Sequence, residues 1–292
     1  MEVTKRNGNK ESFSVEKIHK VVEWATKGIN GVSFSDIEMN ANLSIHDGIE
    51  TSKIHQILIK SANDLISTSE PNYQYVASRL LNMQLRKEVW GCGDEPTDFL
   101  LFLQRNEDNG IYDPHILKKW SDKDVDRFGR YINHSRDDLF TYAGLQQMID
   151  KYLVKNRSTG VIYETPQFAY MAIAMCLFDS VDEVKKAYDC YSTFKINLPT
   201  PIMAGVRTNI RQFASCVLVD VDDNLDAIFS SIHAVGKYTA RRAGIGLNIG
   251  RMRPINSPIR GGEVIHTGLI PYLKNFESAV KSTSQNGLRG GS

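Results

Sequence analysis

A mainly α-helical N-terminal region that gives way to the first strands of a parallel α/β sheet is the fold class this sequence predicts. Apolar residues recur at helical spacing in most segments up to Phe194. The punctuation Leu198-Pro199-Thr200-Pro201 then interrupts that pattern. Beyond it, short apolar strands alternate with helical segments, the signature of a parallel sheet.

The chain opens with a β-hairpin. Val3-Thr4-Lys5-Arg6 and Lys10-Glu11-Ser12-Phe13 flank Asn7-Gly8, a pair that supplies the positive φ angles of a two-residue turn. Ser14 caps a helix whose apolar positions are Val15, Ile18, Val22 and Ala25, and Gly28 ends it. A second helix reads from a Thr51 or Ser52 cap through Ile54, Ile57, Leu58, Ala62 and Leu65. A third starts near Pro71, runs through Tyr75, Val76, Leu80 and Met83, and stops at Gly91. From Cys92 to Phe194 the text stays helical, with starts at Asp113-Pro114 and Thr165-Pro166. A small hairpin built from Tyr152-Leu153-Val154 and Val161-Ile162-Tyr163 interrupts it. Cys216 to Val221 is a nearly continuous apolar run, expected to be covered on both faces. A helix (Leu225, Ile228, Ile232, Val235, Tyr238), a strand from Ile245 to Ile249 and a helix from Ile270 to Val280 follow. Two strands cannot bury both faces of such a sheet, so the α/β pattern reads as unfinished at the loop-like Gln285–Ser292.

Composition narrows the function classes. Thirty-five basic against 34 acidic residues leave a formal charge of +1, which excludes a globally basic nucleic-acid binder and leaves partners to be read locally. The longest apolar stretch, Ala169 to Phe178, is about half of what a bilayer span requires. The polar start Met1-Glu2-Val3-Thr4-Lys5-Arg6 lacks the apolar core of a signal peptide, so a soluble intracellular protein without a membrane partner is expected. The four cysteines, Cys92, Cys176, Cys190 and Cys216, show no C-x-x-C spacing, and the histidines show no metal spacing. No metal site is therefore expected in this chain, and His115, His134 and His266 read as surface or satisfied interior residues.

Three constellations could carry chemistry. Lys5, Arg6, Lys17, Lys20, Thr51, His55 and Lys87 form a basic cluster that fits either a polyphosphate site beside a helix N-terminus or an ordinary solvated face. Glycine and arginine alternate from Arg241 to Gly262, in Arg241-Arg242-Ala243-Gly244-Ile245-Gly246, Gly250-Arg251-Met252-Arg253 and Ile259-Arg260-Gly261-Gly262. That text fits either phosphate contact or tight α/β turns, and Gly244-Ile245-Gly246 at a helix-to-strand junction is in the wrong order for a dinucleotide fingerprint or a P-loop. Cys216, on an apolar strand, is either a small buried hydrophobe or a working thiol.

These residues resemble a known family. Val3-Thr4-Lys5-Arg6, Lys17-Ile18-His19, Asp47-Gly48-Ile49 and Thr51-Ser52 resemble an ATP-cone. Ser192-Thr193-Phe194-Lys195-Ile196, Leu198-Pro199-Thr200-Pro201-Ile202-Met203, Arg211-Gln212-Phe213, Ser215-Cys216, Ser257-Pro258-Ile259-Arg260-Gly261-Gly262-Glu263, His266-Thr267-Gly268 and Ser284-Gln285 run in order along the large, catalytic subunit of class I ribonucleotide reductase, of the enterobacterial and related phage type. The resemblance implies three parts: an ATP-cone over 1–91, a mainly helical domain over 92–205, and the beginning of a ten-stranded α/β barrel over 206–292. It implies reduction of ribonucleoside diphosphates by thiyl-radical chemistry, with Cys216 as one member of a redox-active dithiol restored by a thioredoxin- or glutaredoxin-type reductant. Thr200, Ser215 and Gly244 match substrate-binding positions. Asp223, Asn224, Leu225, Arg253 and Arg260 match the site for deoxynucleoside triphosphate specificity effectors, and Gln285 and Arg289 its relay loop. Lys5, Arg6, Glu11, Lys17, Thr51, His55 and Lys87 match the ATP/dATP activity site.

The departures shape the expectation. The radical-bearing cysteine, its acid/base neighbours and the second member of the dithiol lie beyond the matched text, Thr283 stands where relatives carry cysteine, and Asn286 replaces a relay-loop glycine. The chain is thus expected to act with a complementary large-subunit chain, and with a small subunit whose metallocofactor generates the radical. It is expected in the cytoplasm, that of a host if phage-encoded, and without direct nucleic-acid contact. The alternative is a non-enzymatic nucleotide sensor or a truncated, inactive fragment.

Overall fold

In the computed structural model, which describes residues 1–42, 45–156, 158–209, 213–241 and 243–284, the chain begins as the expected hairpin of β1 (Glu2–Thr4) and β2 (Lys10–Ser12). Its turn differs from a two-residue Asn-Gly turn. Gly8 N–H donates to the Lys5 carbonyl at 2.9 Å and Lys5 N–H to that of Asn9 at 2.8 Å, and only Gly8, at φ +84°, is left-handed. The loop is therefore Arg6-Asn7-Gly8, with Asn7 Oδ1 spent on the Asn9 N–H at 3.1 Å.

Helix α1 (Val15–Thr26) starts as expected, the Ser14 hydroxyl accepting from Lys17 N–H. Its buried stripe is Ile18, Val22 and Ala25; Val15 is 58% exposed and lies outside it. The sequence reading missed α2 (Phe34–Asn42), whose signals are Ser33 accepting from Asp36 N–H at 3.3 Å and the buried pair Ile37 and Ala41. Helix α3 (Thr51–Asp64) is capped by Glu50, not by Thr51 or Ser52. Thr4 N–H donates to the Ile49 carbonyl at 3.0 Å and Thr4 bridges Glu50, which holds Glu50 extended as the cap, so the helix begins at Thr51, earlier than a Thr51 or Ser52 cap would place it. Helix α4 (Tyr73–Trp90) packs along α3 and stops at Gly91, φ +77°. The two are tied by His55 Nε2–H donating to the Leu80 carbonyl at 2.7 Å.

The helical run continues with α5 (Phe99–Asp108), α6 (His115–Lys119), α7 (Asp122–Tyr131), a 3-10 segment (His134–Leu139), and α8 (Tyr142–Gln147) extended by a π turn (Met148–Tyr152). Asn156 and Val161 close the small hairpin that was expected, with Lys155 bridging Ile162. Helix α9 (Pro166–Leu177) is buried from Pro166 to Met175, and α10 (Val181–Ser192) packs on it. The longest apolar stretch is thus the core helix, with Phe168 at 4.9 Å from the rings of both Phe99 and Phe102. No helix among the described residues is long and apolar enough to cross a membrane.

A fully buried ion pair joins these parts. Glu164, just before α9, receives both Arg207 Nε–H at 2.8 Å and Arg207 Nη2, together with the Tyr112 hydroxyl and Val154 N–H at 2.5 Å. Burial pushes the Arg207 guanidinium pKa down, but the charge of Glu164 outweighs it and raises it overall. Burial and that same carboxylate push the Tyr112 hydroxyl well up. Residues Val206–Asn209 accordingly belong to the first compact unit with Met1–Leu198, while Pro199–Gly205 and Ile210–Ser292 form the second.

The second unit contains α11 (Thr200–Gly205), β3 (Cys216–Asp220), α12 (Leu225–Ala240), β4 (Gly244–Asn248), the hairpin β5 (Pro258–Ile259) and β6 (Val264–Ile265), and α13 (Ile270–Thr283). Strands β3 and β4 pair in parallel, Cys216 opposite Gly244 and Leu218 opposite Gly246. Val219, Val221, Ile245 and Leu247 pack with Ile228 and Val235 of α12 and Phe276 of α13. Of the two strand faces expected to be covered, the described residues cover one: Cys216 is exposed and Leu218 is 87% exposed. Both helices pack on the face of Val219 and Leu247, so the alternate residues are bare among the described ones.

Two predictions follow from this packing. Arg207→Met leaves Glu164 buried without its counter-charge and is expected to lower unfolding free energy by roughly 3–5 kcal/mol in urea titration, whereas Arg207→Met with Glu164→Leu loses less. Burial, aided by Lys87 and Arg6 and opposed by the Leu80 hydrogen bond, lowers the His55 pKa from 6.5 to about 4. The fold accommodates the neutral ring, so its contribution is complete above pH 6.5 and is lost as pH falls through 4. His55→Gln, which keeps an N–H for Leu80, should flatten the fall of melting temperature between those pH values; an unchanged slope would count against it.

Candidate functional site

The hairpin and the helix starts bring most of the basic cluster together. Glu11, on β2, accepts from Lys5 at 2.7 Å and from Lys17 in the first turn of α1, and these two contacts, Lys17 first, pull its carboxyl down to about 2. Because β1 runs beside Ile49 and Glu50, the turn carrying Lys5 and Arg6 lies along the chain that leads into Thr51, whose side chain is half-buried at the start of α3. One turn later on α3 sits His55. Lys87 is half-buried in the last turn of α4, its pKa lowered by burial and then by Arg6. Among the described residues Arg6 has no carboxylate partner.

One member differs from the sequence reading. His55 was grouped with the cations, yet it is buried and neutral at pH 7, with Nε2–H bonded to Leu80. The positive charge of this cluster therefore comes from its lysines and Arg6, with Lys5 and Lys17 paired to Glu11.

A second cluster lies on the bare face of β3 and β4. Cys216 is exposed, with Ser215 Oγ 3.9 Å from its Sγ and with Gly244 opposite it; Gly244 N–H donates to the Ser215 carbonyl at 2.8 Å. Cys216 is thus accessible among the described residues. Thr200 opens α11, and no hydrogen bond joins it to this trio among the described residues. Sequence reasoning missed Gly246, where an added Cβ would stand 2.6 Å from Leu218 Cδ2. The signal was present: Gly244 and Gly246 share one parity on β4, as Cys216 and Leu218 do on β3.

The third cluster gathers at the start of α12. Arg253 Nε–H donates to Asp223 Oδ2 at 2.7 Å and its Nη2 to the Asp223 carbonyl at 3.3 Å. Burial raises the Asp223 carboxyl pKa, but the bonds and charge of Arg253 win and lower it. Asn224 caps α12 through Oδ1 accepting from Ala227 N–H at 2.8 Å, and Leu225, its first residue, is exposed. Arg260 is in the β5–β6 turn, exposed and left-handed at φ +50° between Ile259 and Gly261. Gln285, Arg289 and the rest of the relay loop lie outside the described residues, as do Arg211, Gln212 and Arg242. Thr283 donates its hydroxyl to the Ala279 carbonyl at 2.6 Å. Among the described residues no group of His, Cys, Asp and Glu could hold a metal ion.

Comparison with known proteins accounts for this order of parts. The ATP cone domain model matches residues 1–88, the ribonucleotide reductase all-alpha domain residues 138–211, and the ribonucleotide reductase barrel domain residues 214–292. Ribonucleoside-diphosphate reductase 1 subunit alpha of Salmonella typhimurium and that of Escherichia coli are each 48% identical over 99% of this chain. Ribonucleoside-diphosphate reductase subunit alpha of Enterobacteria phage T4 is 45% identical over the same share. The chain spans about 39% of the length of these relatives. With a cone, an all-α segment and the opening of the barrel in that order, the chain belongs to the ribonucleotide reductase large-subunit family, whose N-terminal region it matches.

Proposed function

We propose that this chain supplies the nucleotide-sensing cone and the first part of the active site in reduction of ribonucleoside diphosphates to deoxyribonucleoside diphosphates. The observation that carries the reading is Cys216, exposed on the bare face of β3 beside Ser215 and Gly244. A thiol so placed can work at a substrate, whereas a pure nucleotide sensor has no use for it.

In this reading Cys216 is one of two thiols that reduce the 2′ carbon. The two thiols give up two electrons and two hydrogens; the 2′ hydroxyl leaves as water, a C–H bond replaces the C–O bond, and the thiols become a disulfide. A thioredoxin- or glutaredoxin-type dithiol restores them by exchange. The Ser215 hydroxyl, the Gly244 backbone and Thr200 hold the substrate, and the absence of a side chain at Gly246 leaves room for Leu218 on the same face. The second thiol, the radical cysteine and the remaining strands come from the rest of the large subunit, whether a separate complementary chain or continuous polypeptide. The initiating radical comes from a small subunit carrying a metallocofactor. The cytoplasm is the setting.

The remaining clusters take effectors. Lys5, Arg6, Lys17, Thr51 and Lys87 bind ATP or dATP, with Glu11 arraying the lysines and neutral His55 shaping the pocket wall. Asp223, Asn224, Leu225, Arg253 and Arg260 take a deoxynucleoside triphosphate whose identity the Gln285 and Arg289 loop relays. The three-part division at 1–91, 92–205 and 206–292 belongs to the same reading.

Cys216→Ser, in the enzyme assembled with the rest of the large subunit and the radical-generating subunit, should lower dithiol-driven turnover by roughly a hundredfold or more while effector binding persists; steady-state activity near the parent level would sink the assignment. Calorimetry should show dATP binding to the chain, with Lys87→Gln weakening it about tenfold, or about 1.4 kcal/mol. No heat of binding would count against a working cone.

A further inference from the structure

Helix α4 has two working sides. Lys87 belongs to the nucleotide-facing cluster, while Arg79, Asn82 and Arg86 face the 3-10 segment His134–Leu139. The spacing of three and then four residues places all three on one stripe. Arg79 pairs with Asp138 at 3.2 Å, and Asp137, 2% exposed, accepts from Asn82 Nδ2 at 3.1 Å and from Arg86 Nη2 at 3.1 Å. From the other side Gln167 of α9 donates to Asp137 at 2.9 Å, and its own oxygen accepts from the Tyr188 hydroxyl of α10 at 2.7 Å. One buried carboxylate thus connects the last helix of the cone to the core helix of the all-α part.

That joint is not closed. Arg86 Nη2 also stands 4.0 Å from Glu95, a half-exposed carboxylate in the loop after α4. Arg86 Nε, Asn82 Oδ1, Ser78 Oγ and His134 Nδ1 are buried and without a hydrogen-bond partner among the described residues. A buried polar group left unpaired is costly, so the arrangement holds unused bonding capacity where two carboxylates compete for one guanidinium. Glu95 belongs to the same exit as Lys87: the Gly91-Cys92-Gly93 turn between them leaves a Cβ built at Gly93 only 3.2 Å from Lys87 Cε. A shift of the Lys87 ammonium onto a triphosphate therefore acts on the residue next to Arg86 and on the loop that carries its second partner.

The geometry points to Arg86 as a positioning residue that exchanges its hold between Asp137 and Glu95 according to nucleotide occupancy, making this joint the route by which the cone acts on the helical segment. The inference rests on the cone reading above, because the signal it transmits is the triphosphate at Lys87. Linkage makes the effect reciprocal: a joint that nucleotide shifts must in turn alter nucleotide affinity.

Hydrogen–deuterium exchange of the full chain, with and without dATP, tests it alongside calorimetry. Expected is at least a twofold change in exchange across 134–140 on dATP addition. Glu95→Gln, a change at a solvent-exposed side chain, should cut that response by half or more with dATP still bound. Arg86→Met with Asp137→Leu, which removes both charges together, should abolish the response and shift dATP affinity by about fivefold or more. Binding of dATP that leaves 134–140 unchanged, or a Glu95→Gln chain that responds like the parent, overturns the inference while sparing the cone. A chain that binds no dATP in calorimetry overturns the cone reading and this inference with it.

Discussion

The buried pair of Glu164 and Arg207 is the constraint on which the first unit depends. Such a pair stabilises a fold little more than well-packed apolar residues would, and what it contributes is direction. The guanidinium reaches both carboxylate oxygens and the Tyr152 carbonyl at 3.0 Å, while the Arg207 carbonyl takes the Asp113 N–H at 2.9 Å. Together these four contacts fasten Val206–Asn209 to the first unit. The chain therefore leaves the first unit after Leu198, returns for four residues, and leaves again. The stretch with Thr200 and the strand with Cys216 are flanked by the same short anchor.

The second unit obeys a simpler rule. A strand alternates faces with a period of two, so residues that seem continuous in apolar character divide into those that meet α12 and α13 and those that do not. Val219 and Val221 fall on the packed side, Cys216 and Leu218 on the other. Burial of one face at roughly 1.5–3 kcal/mol per large aliphatic side chain holds the strands in place. Glycine at 244 and 246 keeps the same face low beside the thiol and beneath Leu218.

What was legible in the sequence was whatever local chemistry decides. Ser14, Gly91 and Thr165-Pro166 mark helix ends because a hydroxyl, a positive φ and a fixed proline φ act within one turn. What was not legible was set at a distance. The α3 start depends on Thr4 pairing with residues 49 and 50, far along the chain. The charge of His55 depends on its burial against Leu80. The bareness of Leu218 depends on which face the helices choose, and a mostly apolar run conceals that choice. The family motifs placed the three clusters in order, while the pairings that organise them, Glu11 with two lysines and Asp223 with Arg253, required coordinates.

Those two pairings share a physical logic. Like charges held close repel, so a cationic pocket left without its anion tends to splay unless a carboxylate spaces the cations. Glu11 does this for Lys5 and Lys17, and Asp223 does it for Arg253 through both its side chain and its carbonyl. Under the proposed function the carboxylate's work differs at the two sites. In the cone, Arg6 and Lys87 add positive charge that Glu11 does not neutralise, so a triphosphate meets a standing surplus. At α12 the Arg253 charge is already matched, while Arg260, held on a left-handed turn, has no carboxylate partner among the described residues. On this reading the α12 site offers an anion less standing positive charge than the cone does.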